Sequence, residues 1–295
     1  MLRLPVICPD TSVHNRMMKD GLESEAIFAA LKSGYHVRLL GLSIEELLAT
    51  PDTATRQALM AAAGRLQHGQ SDCLYPHNEI LRRLIAAHEQ DSQGFRWQAV
   101  NVTSQDYSVG VGSFELRADD ALSAETTLHM AEMRKQFKSV WATLRPKLEV
   151  IFQRDGQPRP RAFGEVIPHA MTDNGVFWGI AKGMYDHEAK KPASEETIRH
   201  FVEVCPPFRC IVYAFLMAWY NGSMRDWDGG ESFSAGRNDL YMSVYLPYGD
   251  VFLSAEEKGE QAKCLAEIAR LAEVDKEVRS YDDFCAGLMV LPSVA

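Results

Sequence analysis

Apolar residues gather in short runs near both ends of the chain and recur at helical spacing through its middle. Leu4 to Pro9 is an apolar run of strand length, and Val37 to Leu42 is a second, so both predict buried strands. Between them, Glu23 to Lys32 puts Ile27, Phe28 and Leu31 on one helical face, with Ser33-Gly34 ending it. After the second run, Ser43 is a candidate N-cap and Glu46 stands at the capping-box spacing. That short helix carries Leu47 and Leu48 to about Thr50, and Pro51-Asp52 opens another through Leu66. Strand, helix, strand, helix is the start of a parallel α/β domain.

From Pro76 to Tyr220 the pattern changes to helices with few strand candidates. Ser123 precedes a segment with Met133, Phe137, Val140, Trp141 and Leu144 at spacings of three and four. Ser194 reads as an N-cap, followed by Glu195 and Glu196 where the helix dipole favours acids. Pro206-Pro207 interrupts that helix, and Phe208 to Tyr220 forms a buried second one. Glycine- and proline-rich loops are expected at Asp155 to Pro160 and Asn221 to Gly236. The α/β pattern then resumes: a helix from Asp239 to about Tyr245, a strand from Asp250 to Ser254, a helix from Glu257 to Leu271 and a strand around Glu277 to Ser280. The simplest architecture is one α/β core, residues 1–75 and 236–295, split by a helical insertion, 76–235, packed on that core. Its apolar faces around Val140, Trp141, Phe208, Phe215 and Trp219 require a partner surface.

Composition adds exclusions. Hydrophobic residues are 46% and charged residues 24%, an ordinary globular balance. The six cysteines show no CxxC pair and lie mostly in apolar runs, so reduced thiols and a cytoplasmic location are expected. Arg3 and the short run after it fall short of a secretory segment, and Ile211 to Tyr220 is too short to span a bilayer. A net charge of −9 argues against a protein that coats nucleic acid generally. One local exception stands between Ala131 and Arg161, where eight basic residues, Arg145, Arg154 and Arg161 among them, meet three acidic ones. This patch is either a solvated helix face with a basic loop or a surface that steers phosphate.

Four acids then stand out by position. Asp10 ends the first run, Glu46 follows the second, Asp239 begins a helical segment, and Glu256 follows the run Asp250 to Ser254. Carboxylates just past the carboxyl ends of parallel strands share the crevice in which such sheets bind ligands. Their oxygens suit hard cations such as Mg²⁺ or Mn²⁺. Each also admits a plain structural role: a turn residue at Asp10, a capping-box acid at Glu46, first-turn helix acids at Asp239 and Glu256. Glu45 competes with Glu46, but Leu47 facing the core favours Glu46. Asp250 is left out, because four residues of strand put it about 13 Å from the carboxyl end.

Asp10-Thr11-Ser12-Val13 after a strand resembles the opening of PIN-domain nucleases, and Ser43-Ile44-Glu45-Glu46-Leu47 resembles their second motif. Asn238-Asp239 with the following Tyr245 to Ser254 resembles the third, and Ser254-Ala255-Glu256 stands where the family has Thr/Ser-x-Asp. The resemblance covers residues 3–66 and 236–290 and departs at Glu256, one methylene longer than the family's acid. It implies a three-layer α/β/α fold with a central parallel sheet, and an endoribonuclease cleaving RNA, single-stranded by expectation. Asp10, Glu46, Asp239 and Glu256 would be both catalytic and metal-binding residues for Mg²⁺ or Mn²⁺. Arg237, Ser12, Ser254, Arg145, Arg154 and Arg161 would serve the substrate, with Trp97, Trp178 and Trp227 as candidates for base stacking. A homodimer or a protein regulator is an admissible partner; a membrane is not expected. The alternative is a PIN-like module with a decayed metal site that binds RNA or protein. A haloacid-dehalogenase-type phosphatase is disfavoured, since Ser12 stands where that chemistry wants a second acid.

Overall fold

A computed structural model describes residues 3–21, 24–66, 73–104, 124–132, 135, 162–173, 175–224, 240–256 and 260–289. The chain divides into two compact units. Met1–Ile80, Asn101–Met130 and Tyr245–Ala295 form the first, and Leu81–Val100 with Ala131–Val244 the second.

The first unit opens with strand β1, Val6–Pro9, and helix α1, Thr11–Asp20, which follows Asp10 directly. The Asp10 carboxylate caps α1 by accepting the Val13 amide, so the acid expected at a strand end is also an N-cap. Helix α2 spans Ser24–Gly34. The second apolar run is broken rather than continuous: β2, His36–Val37, pairs with β1, whereas β3, Leu39–Leu40, pairs with β4, Cys73–Leu74. Arg38 sits at the break, its amide bonded to the Ile7 carbonyl and its guanidinium to the Tyr248 carbonyl.

Helix α3, Gly41–Leu48, starts three residues earlier than expected, which removes Ser43 as a cap. Leu40 occupies the N-cap without a side-chain bond, and the Tyr245 hydroxyl instead accepts the Leu42 amide while donating to the Tyr75 carbonyl. Gly41 is needed there, because a Cβ would lie 2.5 Å from the Pro76 nitrogen and 2.7 Å from the Leu74 oxygen. Helix α4, Thr53–Leu66, is capped by Asp52, whose side chain accepts the Thr55 amide. Helix α5, His77–Gln90, contains the division between the units, and residues 124–132 are helical.

The second unit holds α6 (Phe163–Ala170), α7 (Val176–Ala189), α8 (Glu195–Val204) and α9 (Pro206–Met224). Ser194 caps α8 by accepting the Thr197 amide. The two prolines open α9 where a missing amide donor costs nothing. Tyr185, Phe201 and Phe208 interlock in its core, with Phe201 and Phe208 ring centres 4.9 Å apart. Among the described residues, no single helix is long and apolar enough to cross a membrane; α8 and α9 pass only as a pair bent by 104°.

The chain returns to the first unit through a 3-10 helix, Ser243–Tyr248, then β5 (Val251–Ser254), α10 (Glu260–Leu271), β6 (Glu277–Ser280) and α11 (Tyr281–Met289). The four-stranded sheet is parallel throughout, in the order β2-β1-β5-β6. Side chains alternate across it, and Ile7, Val251 and Leu253 meet Val13, Met17, Leu31, Leu59 and Phe284 in one core. Helix α10 packs on β5 and β6, with Leu265 and Ile268 buried outside that core. The fold is thus α/β with a parallel sheet, compatible with a three-layer α/β/α arrangement. From β1 the chain steps outward to β2 on one side, and from β5 outward to β6 on the other. The order therefore reverses between β1 and β5, and their carboxyl ends flank the crevice where open α/β sheets bind ligands.

Candidate functional site

Asp10 leaves β1 at this crevice, its amide bonded to the Leu253 carbonyl of β5 at 3.0 Å. It is 3% exposed, so its side chain sits in a place where charge is costly. Burial is the dominant influence and pushes its pKa up to about 6. Hydrogen bonds from Ser12 and the Val13 amide pull the other way, and the charge of Glu256 adds to the rise. A carboxyl poised near neutrality by burial and a second acid is a mark of functional sites.

Two serines tie the crevice together. The Ser12 hydroxyl donates to Asp10 Oδ1 at 2.5 Å and accepts the Ala255 amide at 2.7 Å, joining the segment after β1 to the segment after β5. Ser254, last in β5 and buried, donates to Gln261 Oε1 of α10 at 2.9 Å. Glu46 reaches the same region from α3, where its carboxylate accepts the Thr11 hydroxyl, one residue from Asp10. The capping-box reading of Glu46 therefore fails, since Ser43 lies inside the helix with its hydroxyl buried and unpartnered. Leu47 is buried, as the choice of Glu46 over Glu45 required.

Glu256 is exposed, two residues past β5. Asp239, Arg237, Arg145, Arg154 and Arg161 lie outside the described residues, as do Val140, Trp141 and Trp227. Asp250 belongs to the opposite end of its strand, accepting the Val6 amide at 2.8 Å and pairing with Lys276 at 2.9 Å. Trp178 in the second unit is packed under the Arg199 guanidinium, 4.4 Å from its ring centre. Thr11 and Gln261 were not legible as site residues, because their partners, Glu46 on α3 and Ser254 on β5, belong to other elements. His14, one turn along α1 from Asp10, is fully buried with both ring nitrogens unpartnered, and burial drives its pKa down to about 4.

Among the described residues, no three His, Cys, Asp or Glu side chains form a group able to hold a metal ion. The donors at the crevice are nonetheless all oxygens, from Asp10, Glu256, Ser12 and Ser254, and of the kind that suits Mg²⁺ or Mn²⁺. A buried carboxylate penalised for its charge is also what a cation would relieve.

Compared with known proteins, the chain matches no family model, and neither a curated protein nor a solved structure shows significant similarity to it.

Proposed function

We propose that the chain is a PIN-like, metal-dependent endoribonuclease that hydrolyses phosphodiester bonds of single-stranded RNA. One observation carries the reading: a buried Asp10 near neutral pKa, beside the charge of Glu256, where the strand order reverses. Asp10 and Glu256 would hold Mg²⁺ or Mn²⁺, with Glu46 and, on sequence position alone, Asp239. When bound, the cation lowers the pKa of water and offsets charge on the phosphate. Ser12 holds Asp10 in one rotamer and fixes its spacing from the backbone after β5. The Thr11 bond restrains Glu46. Arg237 and the Arg145, Arg154 and Arg161 patch are candidates for phosphate contact on charge alone.

Labelled single-stranded RNA, incubated with Mn²⁺ and either the natural protein or Asp10→Asn, tests this directly. Cleavage that needs both Mn²⁺ and Asp10 supports the reading; absence of any cleavage overturns it. A second reading, a PIN-like module with a decayed site that binds RNA or protein, is favoured by the lack of a three-acid group among the described residues. It expects RNA binding without cleavage and no change in Asp10→Asn.

A further inference from the structure

Asp10 is flanked by two serines whose protons point in different directions. The Ser12 hydroxyl and the Val13 amide both donate to Asp10 Oδ1, at 2.5 and 3.1 Å. Ser254 also neighbours the Asp10 carboxyl, but its hydroxyl donates to Gln261 Oε1 at 2.9 Å. A hydroxyl has one proton and two lone pairs, so a proton directed at Gln261 leaves only lone pairs for Asp10. Ser254 is 2% exposed and Gln261 9%, which shields their bond from competing water. Gln261 stands in the first turn of α10, the helix that packs on β5 and β6, so it is held independently of the Asp10 segment.

We propose that Gln261 is a positioning residue for the cation: by accepting the Ser254 proton, it keeps the Ser254 oxygen beside Asp10 as a lone-pair donor. The inference rests on the metal reading of the crevice. Two oxygens with no proton between them repel each other, and a hard cation, which takes oxygen ligands, removes that repulsion. With no acceptor at position 261, the Ser254 hydroxyl is free to turn and donate to Asp10. Its proton then engages carboxylate lone pairs on which the cation depends. Removing a group that orients a metal ligand typically weakens metal binding about 10- to 100-fold. A bond that only satisfies a buried hydroxyl would lower stability and leave the affinity for metal unchanged.

The test measures Mn²⁺ affinity, from the electron paramagnetic resonance signal of free Mn²⁺, in the full chain and in Gln261→Leu, Gln261→Glu and Ser254→Ala, and in Ser254→Ala combined with Gln261→Leu. Gln261→Leu is expected to weaken binding at least about tenfold. Gln261→Glu, which keeps an acceptor oxygen at the same reach, should hold most of the affinity. Once Ser254 is alanine, Gln261→Leu should weaken binding no further. Equal affinity in the natural protein and Gln261→Leu, or the same loss with and without the Ser254 hydroxyl, overturns the role of Gln261 and leaves the metal reading standing. No Mn²⁺ bound by the natural protein overturns the metal reading, and this role with it. Neutron diffraction of the deuterated natural protein tests the orientation without any variant having to fold. A deuteron on the line from Ser254 Oγ to Gln261 Oε1 supports the assignment, and one directed at Asp10 overturns it.

Discussion

The two units differ in the kind of polar group they bury, a carboxylate in the first and neutral groups in the second. The second unit buries a helical core of aromatic rings and neutral polar groups: His88 Nε2 lies 2.9 Å from His200 Nδ1, while His88 Nδ1 and the Tyr185 hydroxyl are buried without a partner. The first buries a carboxylate, Asp10, at a strand end, where burial raises its pKa instead of a cation or arginine lowering it. An apolar core gains by excluding water; a site that must bind charge keeps a group that the fold alone leaves in an unfavourable state. The first unit therefore holds a charged stability deficit at the place proposed for its chemistry.

The sharpest way to break that contrast is Asp10→Asn. If the nuclease reading holds, Mn²⁺-dependent cleavage should fall at least about a thousandfold. The same change should stabilise the protein at pH 7. A folded pKa of about 6, against an ordinary 3.8, means that Asp10 favours folding when protonated and loses that contribution as pH rises through 6. The charge then costs up to about 3 kcal/mol at pH 7. Urea denaturation of both proteins should show the gain of Asp10→Asn at pH 7 and its disappearance below about pH 4.

His14 should show the opposite sign. Its folded pKa of about 4 lies below the ordinary 6.5, so the unfolded chain takes up the proton first. Stability should fall by up to about 3 kcal/mol as pH drops from 6.5 to 4. In His14→Leu, denaturation midpoints followed across that range should lose this slope; an unchanged slope would place the acid sensitivity elsewhere.

Ser12→Ala probes the link between the strand ends. Removing the hydroxyl leaves the Ala255 amide without that partner, a loss of about 1–3 kcal/mol in thermal denaturation. Cleavage should fall about 10- to 100-fold, as for a group that orients a metal ligand, while Ser12→Thr restores part of it. Cleavage unchanged in Ser12→Ala would detach the serine from the site.

The smallest effect is expected in the second unit. Burial first, and then the His200 charge, lower the pKa of His88, with Glu89 opposing. His88 should therefore destabilise the fold as pH falls below about 6.5, and His88→Phe should remove that dependence while leaving cleavage untouched. A loss of cleavage in this variant would mean that the two units do not divide structure from chemistry as their cores suggest.

Much of the frame was legible in local patterns. The runs at Val6–Pro9, Val251–Ser254 and Glu277–Ser280 became strands, Ser194 capped its helix, Pro206-Pro207 opened the next, and Asp10 took a strand end. These features rest on spacing and on bonds spanning three or four residues, which a sequence displays directly. Tertiary structure alone broke the second run at Arg38 and set Gly41 against the backbone of Leu74 to Pro76. It also supplied the Tyr245 hydroxyl to the start of α3, the Thr11 partner to Glu46, and the Ala255 amide to Ser12. Those bonds join residues 203, 35 and 243 positions apart, so no local window contains them. The acidity of Asp10 belongs to the same class: its residue type and place in the chain were set by the sequence, but desolvation is a property of everything packed around it.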